Sequence, residues 1–146
     1  MAAECTTATV WYLRVASGSQ RKRESSLRIQ RQAILHYARI HGAEIRRIYC
    51  DCDSACDHSM QDELRDALQA LRGGLAKLLI VESLERLSGG IDRRLQLVLQ
   101  TFTMDAGPAL VCVRERIDSR SPGGRIALQR LDVMASWETG SGNAGG

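Results

Sequence analysis

The sequence predicts an α/β domain with three layers, in which a mostly parallel sheet of four to five strands lies between helices. Two observations lead to this fold class. Apolar runs typical of strands alternate with segments whose apolar residues recur at helical spacing. One run, Leu78 to Val81, is apolar throughout, which is typical of a strand buried on both faces of a parallel sheet. We therefore expect right-handed crossovers and a flavodoxin-like strand order of 2-1-3-4.

The composition is that of one globular domain. The chain has 146 residues, of which 44% are hydrophobic and 25% are charged, a balance typical of soluble proteins. No apolar run approaches the length that a bilayer requires, and the N-terminus lacks the pattern of a signal peptide. We therefore expect a cytoplasmic protein with no membrane partner. The formal net charge of +3 permits nucleic acid as a partner without requiring it.

The first predicted strand begins at Val10 and ends near Ala16, where small polar residues follow. In open α/β sheets such a strand end borders the ligand cleft. Residues 21–25 are charged and show no apolar periodicity, so we expect a loop there. A helix then begins at Ser25 or Ser26 and ends at Gly42. Its predicted buried residues are Ile29, Ala33, Ile34, Tyr37, Ala38 and Ile40.

The rest of the chain continues the alternation. Further strands are predicted at 44–50, 77–82 and 109–113, and further helices at 61–72, 91–104 and 125–138. The strand at 44–50 carries several charges, which favours a sheet edge. Polar loops are expected at 51–59, 83–90 and 114–124. The last helix has an apolar face from Ile126 to Ala135 that either packs in the domain's own core or contacts a partner. Residues 139–146 are predicted to form a flexible tail, so the domain spans 1–138.

Three sequence blocks fall in or next to loops that follow predicted strands. The first runs from Tyr12 to Gln20, with Ser26 to Gln30 opening the next helix. The second is Glu85 to Gly89, directly after the buried strand, and the third is Ile117 to Arg125. In this order and at these separations, the blocks resemble the catalytic domain of the serine recombinases, the resolvase/invertase family of site-specific DNA recombinases.

The resemblance covers Tyr12 to Glu138 and implies a specific chemistry. In that family a serine hydroxyl of the first block attacks a DNA phosphodiester and forms a covalent phosphoserine link. Arginines and polar side chains surround the phosphate and stabilise its charge, with no metal and no nucleotide cofactor. The resemblance therefore implies DNA as the partner and strand exchange as the reaction, without a cofactor.

The resemblance also assigns site residues, one position at a time. Positions that match the family's active-site pattern are Arg14, Gln20, Gln30, Glu85 and Arg86. Arg14 corresponds to the arginine two residues before the nucleophile, and Glu85 stands where the Asp-Arg-Leu motif has aspartate. The nucleophile position itself is Ala16, and a methyl group cannot attack phosphorus. The resemblance therefore predicts a recombinase site without its attacking hydroxyl.

Other positions also depart from the family pattern. The departures fall at Ala55–Cys56, Gln61 or Asp62, Gly89 and Thr139. The last three of these positions lack an arginine, and each missing charge donor costs on the order of 10² to 10³ in rate. Ser17 is a poor substitute nucleophile, because side chains alternate across an extended strand. We therefore expect a recombinase module by descent that is catalytically inactive.

Two other functions stay open. One is a non-enzymatic interaction module that forms a homodimer or joins another recombinase and regulates it. The other is a metal or redox sensor built on Cys50, Cys52, Cys56 and His58, although this spacing lacks the Cys-x2-Cys pairs of common zinc modules and we predict no metal. Family members continue into a dimerisation helix and a DNA-binding domain, and neither is expected within this chain. DNA contacts should therefore be weak and limited to the phosphate backbone.

Overall fold

The computed structural model describes residues 6–16, 18–52, 62–88, 93–104 and 106–144, with residues 62 and 138–144 described by their backbone alone. The strands are Thr7–Val15 (β1), Ala43–Cys52 (β2), Leu78–Val81 (β3), Ala109–Cys112 (β4) and Ile117–Asp118 (β5). The helices are Gln20–His41 (α1), Asp62–Arg72 (α2), Arg93–Phe102 (α3) and Pro122–Ala144 (α4). A short 3-10 helix, Leu84–Arg86, follows β3.

The strands form one sheet in the order β2-β1-β3-β4-β5. All neighbouring strands are parallel except β5, which is antiparallel to β4. The α/β class and the order 2-1-3-4 predicted from the sequence are confirmed. The fifth strand lies inside the segment 114–124, which was expected to be a loop throughout. That expectation was wrong because a strand of two residues is too short to show periodicity.

The sheet separates two apolar clusters, which gives the predicted three layers. On one face, Val10 and Tyr12 of β1 pack in a core with residues of α2, α3 and α4. On the other face, Trp11 packs with Ile34 and Ala38 of α1. β1 is therefore buried on both faces, while the charged strand β2 lies at the sheet edge, as its sequence predicted.

Helix α1 begins earlier than the sequence predicted. The Oγ of Ser19 accepts a hydrogen bond from the Lys22 N–H at 3.2 Å and caps the helix, so residues 21–25 are helical rather than a loop. Their charges face solvent, which explains why they show no apolar period. The buried stripe is also narrower than expected, because Ile29 and Ile40 are 52% and 63% exposed. The fully buried residues of α1 are spaced by four and include Ile34 and Ala38, while Leu35 and Tyr37 pack against the same cluster and are partly buried.

Helix α4 extends beyond both predicted ends. It begins at Pro122, where proline is tolerated because the first turn needs no intrahelical N–H bond. Its backbone continues to Ala144, so residues 139–144 are helical where glycine and serine had predicted a flexible tail. Within the described ranges, no helix combines the length and the apolar character needed to cross a membrane.

Gly124 packs directly against β5. A Cβ at Gly124 would lie 1.8 Å from the carbonyl oxygen of Asp118, whereas a Cβ at Gly123 meets nothing within 4 Å among the described atoms. We expect Gly124→Ala to lower the free energy of unfolding by about 3 kcal/mol, because α4 and β5 would have to separate. Gly123→Ala is the matched control and should leave stability unchanged or slightly increased. Urea unfolding of both variants measures the difference, and equal stability would contradict this packing.

Candidate active site at the carboxyl edge of the sheet

The carboxyl end of β1 extends beyond β3. On the β2 side the pairing continues to Val15, but on the β3 side it ends at Tyr12 and Val81. Arg14 therefore lies beyond the last residue of β1 that pairs with β3. Its N–H donates to Gln30 Oε1 at 3.1 Å, and its carbonyl oxygen accepts from Gln30 Nε2 at 2.9 Å. The Gln30 amide thus pairs with the Arg14 peptide as a neighbouring strand would.

Gln30 is held in place by its own helix. Its side chain is fully buried, and Nε2 also donates to the Ser26 Oγ at 3.1 Å, one turn earlier in α1. The amide therefore uses both its oxygen and its nitrogen on protein groups. Gln30 was expected at a polar active-site position, and its described contacts support the backbone of β1.

Arg86 approaches the same strand end from the 3-10 helix. Its Nη1 donates to the Arg14 carbonyl oxygen at 3.4 Å, and its Nε donates to Glu82 Oε1 at 3.1 Å. The half-buried side chain of Arg14 lies on the Tyr12 face of β1 by strand alternation. Ala16 follows β1 directly and is exposed. The structure thus brings Arg86 and Gln30 onto the Arg14 peptide, two residues from Ala16.

Glu82 lies at the centre of this edge and was missed as a site residue. It directly follows β3 and is 3% exposed. Its Oε2 accepts from Arg114 Nη2 at 2.9 Å, while its Oε1 binds Arg86. The available signal was a charged residue directly after a fully apolar strand. That position places a carboxylate at the carboxyl edge of a buried strand, where it requires cationic partners.

Two further predicted residues lie on exposed positions. The carboxylate of Glu85 lies 3.9 Å from Arg86 Nη2 and 3.6 Å from Arg114 Nη1, with a side chain that is 59% exposed. Glu85 therefore belongs to the same charge cluster as Glu82. Gln20 lies in the first turn of α1, where its amide donates to Glu24 Oε1 at 3.1 Å. This bond runs along the exposed side of the helix.

A second buried carboxylate fixes α2 at the same edge. The Asp51 oxygens accept the N–H groups of Glu63 and Leu64 at 3.2 Å each, in the first turn of α2. The hydroxyl of Tyr12 donates to Asp51 Oδ2 at 2.8 Å. Because Asp51 pairs with Arg14 in the β1–β2 register, α2 is anchored beside the strand end that carries the site.

The third sequence block lies away from this edge. The Ser119 Oγ accepts from the Leu110 N–H at 2.8 Å, near the amino end of β4. Arg120 donates to both oxygens of Asp118, at 2.9 and 2.8 Å, and to the Tyr37 hydroxyl at 3.2 Å. Burial opposes the ionisation of Asp118, but the bonds from Arg120 outweigh it and lower the pKa of that carboxyl. These contacts join β5 to α1 rather than to Arg86.

Two of the cysteines weighed as a metal or redox site lie in β2. Cys50 and Cys52 lie on the same face of the strand, and Cys52 is exposed with its sulfur 3.5 Å from Arg23 Nη1. Burial raises the pKa of the Cys50 thiol, and the neighbouring Asp51 carboxylate adds to the rise. The described ranges contain no group of three or more His, Cys, Asp or Glu residues placed to hold a metal.

Several positions named from the sequence lie outside the described residues. They are Ser17, Ala55–Cys56, His58, Gln61 and Gly89. Thr139 is described by its backbone alone, within α4.

The family model of the Resolvase N-terminal domain matches residues 9–141. The chain belongs to the resolvase family. This match includes the carboxyl edge of the sheet and the loops described above, and it confirms the resemblance to serine recombinase catalytic domains. A comparison with curated protein sequences gave no match.

Two solved structures share the fold of this resolvase-family domain. The N-terminal catalytic domain of TP901-1 integrase is 20% identical, with a TM-score of 0.70 over 90% of this chain and 96% of that chain. A resolvase family site-specific recombinase from Streptococcus pneumoniae is also 20% identical, with a TM-score of 0.74 over 93% of this chain and 91% of that chain. At this identity the likeness concerns the fold alone.

We expect Gln30→Leu to lower the free energy of unfolding by about 2 to 4 kcal/mol, because it leaves the N–H and C=O of Arg14 without this partner near the end of a buried strand. Gln32→Leu, an exposed position two residues along α1, makes the same chemical change and is the matched control. Urea unfolding followed by circular dichroism measures both. A Gln30→Leu variant as stable as the control would show that the pairing contributes nothing to stability.

Proposed function

We propose that this domain is a serine recombinase catalytic domain that no longer cleaves DNA. The observation that carries the proposal is Ala16, which on the family pattern stands at the nucleophile position. It follows the strand end at which Gln30 and Arg86 meet. A serine there would follow the strand end that the Arg86 guanidinium contacts, and such a charge near the reacting group is what phosphoryl transfer requires. The methyl group of alanine provides no nucleophile.

The charges around Ala16 support the same proposal. Arg86 donates to Glu82 and lies near Glu85, so protein carboxylates already balance its charge. Guanidinium groups stabilise a phosphoryl group in transfer when they are directed at its oxygens. The arginines that the family has at the positions of Gly89 and Thr139 are replaced as well. Restoring one hydroxyl therefore leaves most of the charge stabilisation absent.

DNA is the proposed partner, contacted through its phosphate backbone. Exposed Arg21 and Lys22 lie in the first turn of α1, close in sequence to Ala16. Cationic side chains of this kind bind phosphates without reading bases. We therefore expect weak binding that depends strongly on salt and little on DNA sequence.

The proposal is tested by the search for a covalent phosphoserine. The wild-type protein and Ala16→Ser are each incubated with bis(p-nitrophenyl) phosphate, an activated phosphodiester that needs no recombination site. An attacking serine would displace p-nitrophenolate and add the remaining phosphoryl group to the protein mass. Intact-protein mass spectrometry should show no adduct in either protein, with an active serine recombinase catalytic domain as the positive control.

Either kind of adduct contradicts part of the proposal. An adduct on the wild-type protein would mean that another hydroxyl, such as that of Ser17, acts as the nucleophile. An adduct on Ala16→Ser alone would mean that the site lacks only the serine hydroxyl, and that its remaining groups are sufficient for phosphoryl transfer. Peptide mapping of the modified serine separates these two results from nonspecific phosphorylation of surface residues.

A second candidate function is that of an interaction module, and the outer face of α4 favours it. Ile126, Val133 and Trp137 recur at intervals of seven and four residues, which places them along one line of the helix. They are 49%, 49% and 70% exposed. Leu128 and Ala135, on the opposite side of α4, are buried in the domain. The helix thus has one apolar face for its own core and a second that suits another copy or a partner recombinase.

We expect Val133→Asp to weaken self-association, because it places a charge in the middle of this exposed line. Light scattering after size-exclusion chromatography should give a mass above that of the monomer for the wild-type protein at high micromolar concentration, and a smaller mass for the variant. Leu97→Asp is the control, since Leu97 of α3 is also an exposed apolar residue, at 54%. A wild-type protein that stays monomeric at every concentration would rule out the homodimer.

A further inference from the structure

The carboxylate of Glu82 lies between two guanidinium groups at the candidate active site. Oε1 accepts from Arg86 Nε at 3.1 Å, and Oε2 accepts from Arg114 Nη2 at 2.9 Å. The backbone reinforces this arrangement, because the Arg114 N–H donates to the Glu82 carbonyl oxygen at 2.8 Å. The ends of β3 and β4 are therefore joined through the same pair of residues, and each oxygen of the carboxylate has its own arginine.

This arrangement has the chemistry of an occupied anion site. Guanidinium groups bind carboxylate and phosphate oxygens with the same donors and at similar distances. The side chain of Glu82 is 4% exposed, whereas those of Arg86 and Arg114 are 20% and 56% exposed. Both cations can therefore be reached from solvent, while the anion that they hold belongs to the protein.

A structural ion pair alone is a weak explanation for Glu82. Removing a carboxylate from water is costly, and apolar residues often replace buried ion pairs without loss of stability. β3 is apolar throughout, so an apolar residue at its end would continue the strand's own character. The carboxylate instead lies where it binds two arginines next to the end of β1.

We propose that Glu82 is an internal occupant of an anion site formed by Arg86 and Arg114, and that it closes this site to phosphate esters. The proposal rests on the proposed function, since it concerns the same site and explains why the arginines of that site do not bind DNA phosphates. The site would take a phosphate monoanion or diester in place of the glutamate. Its affinity for free phosphate is then limited by competition with a tethered carboxylate.

Glu82→Gln tests this directly, because the amide keeps the shape of the side chain and removes its charge. Inorganic phosphate is titrated into protein labelled with ¹⁵N at arginine, and the Nε–H signals of Arg86 and Arg114 are followed by NMR. We expect the phosphate dissociation constant at these two signals to fall by at least about tenfold relative to the wild-type protein. Unchanged affinity would overturn the proposal.

Two controls separate the site from a general charge effect. Glu85→Gln removes the same charge from an exposed carboxylate near the same arginines, and screening should limit its effect to about threefold or less. An equal gain in Glu85→Gln would overturn the proposal. In Glu82→Gln/Arg114→Gln the gain should be lost, and a gain that persists there would show that Arg114 is not part of the site.

Glu82→Asp covers the case in which Glu82→Gln does not fold, as judged by circular dichroism. It keeps the charge but withdraws the carboxylate by one methylene, so phosphate binding should improve by an intermediate factor, and no improvement would overturn the proposal. The measurement involves no covalent step. If the phosphate affinities do not change as expected, the prediction that no phosphoserine adduct forms still stands. Conversely, an adduct on the wild-type protein would overturn the proposed function, but the comparison of phosphate affinities would still test the role of Glu82.

Discussion

The uneven ends of the central strands are the constraint on which this site depends. β1 continues past its last pairing with β3, and buried peptide groups in that position must find other partners. The Gln30 amide satisfies both the N–H and the C=O of Arg14, and Arg86 adds a contact to the same carbonyl oxygen. Helix α1 and the loop after β3 are therefore tied to one peptide, and their side chains converge there because the backbone requires them.

Two buried carboxylates complete the edge, and each is satisfied by a different kind of donor. Asp51 accepts backbone N–H groups of α2 and the hydroxyl of Tyr12, which makes it a helix anchor. Glu82 accepts from two guanidinium groups, which makes it the counterion of the arginines at this edge. Both arrangements avoid an unpaired buried charge. The result is an edge of the sheet at which both buried carboxylates are paired with donors of the protein itself.

The two faces of the sheet are covered by different numbers of helices. One helix, α1, covers one face of the sheet, and three helices share the other. Within the second layer, the outward side of α4 carries apolar residues that the domain does not bury. Association through such a face needs shape and apolar area rather than catalytic chemistry.

The sequence by itself determined the fold class, the order of four strands, the family and the presence of Arg14 and Arg86 near one strand end. The fold class and strand order follow from periodicity, and the family and the two arginines follow from the resemblance that the motifs carry; both are local properties of the chain. Only the tertiary structure decided the starts of α1 and α4, the existence of β5, the backbone role of Gln30 and the place of Glu82 between Arg86 and Arg114. Each of these depends on partners elsewhere in the chain or on a cap that periodicity does not reveal: Gln30 lies 16 residues from Arg14 in sequence, and Arg86 lies 72 from it. A polar backbone group at a strand end needs such a partner when its strand extends beyond the neighbouring strand. The length of that extension is fixed only when the sheet has assembled.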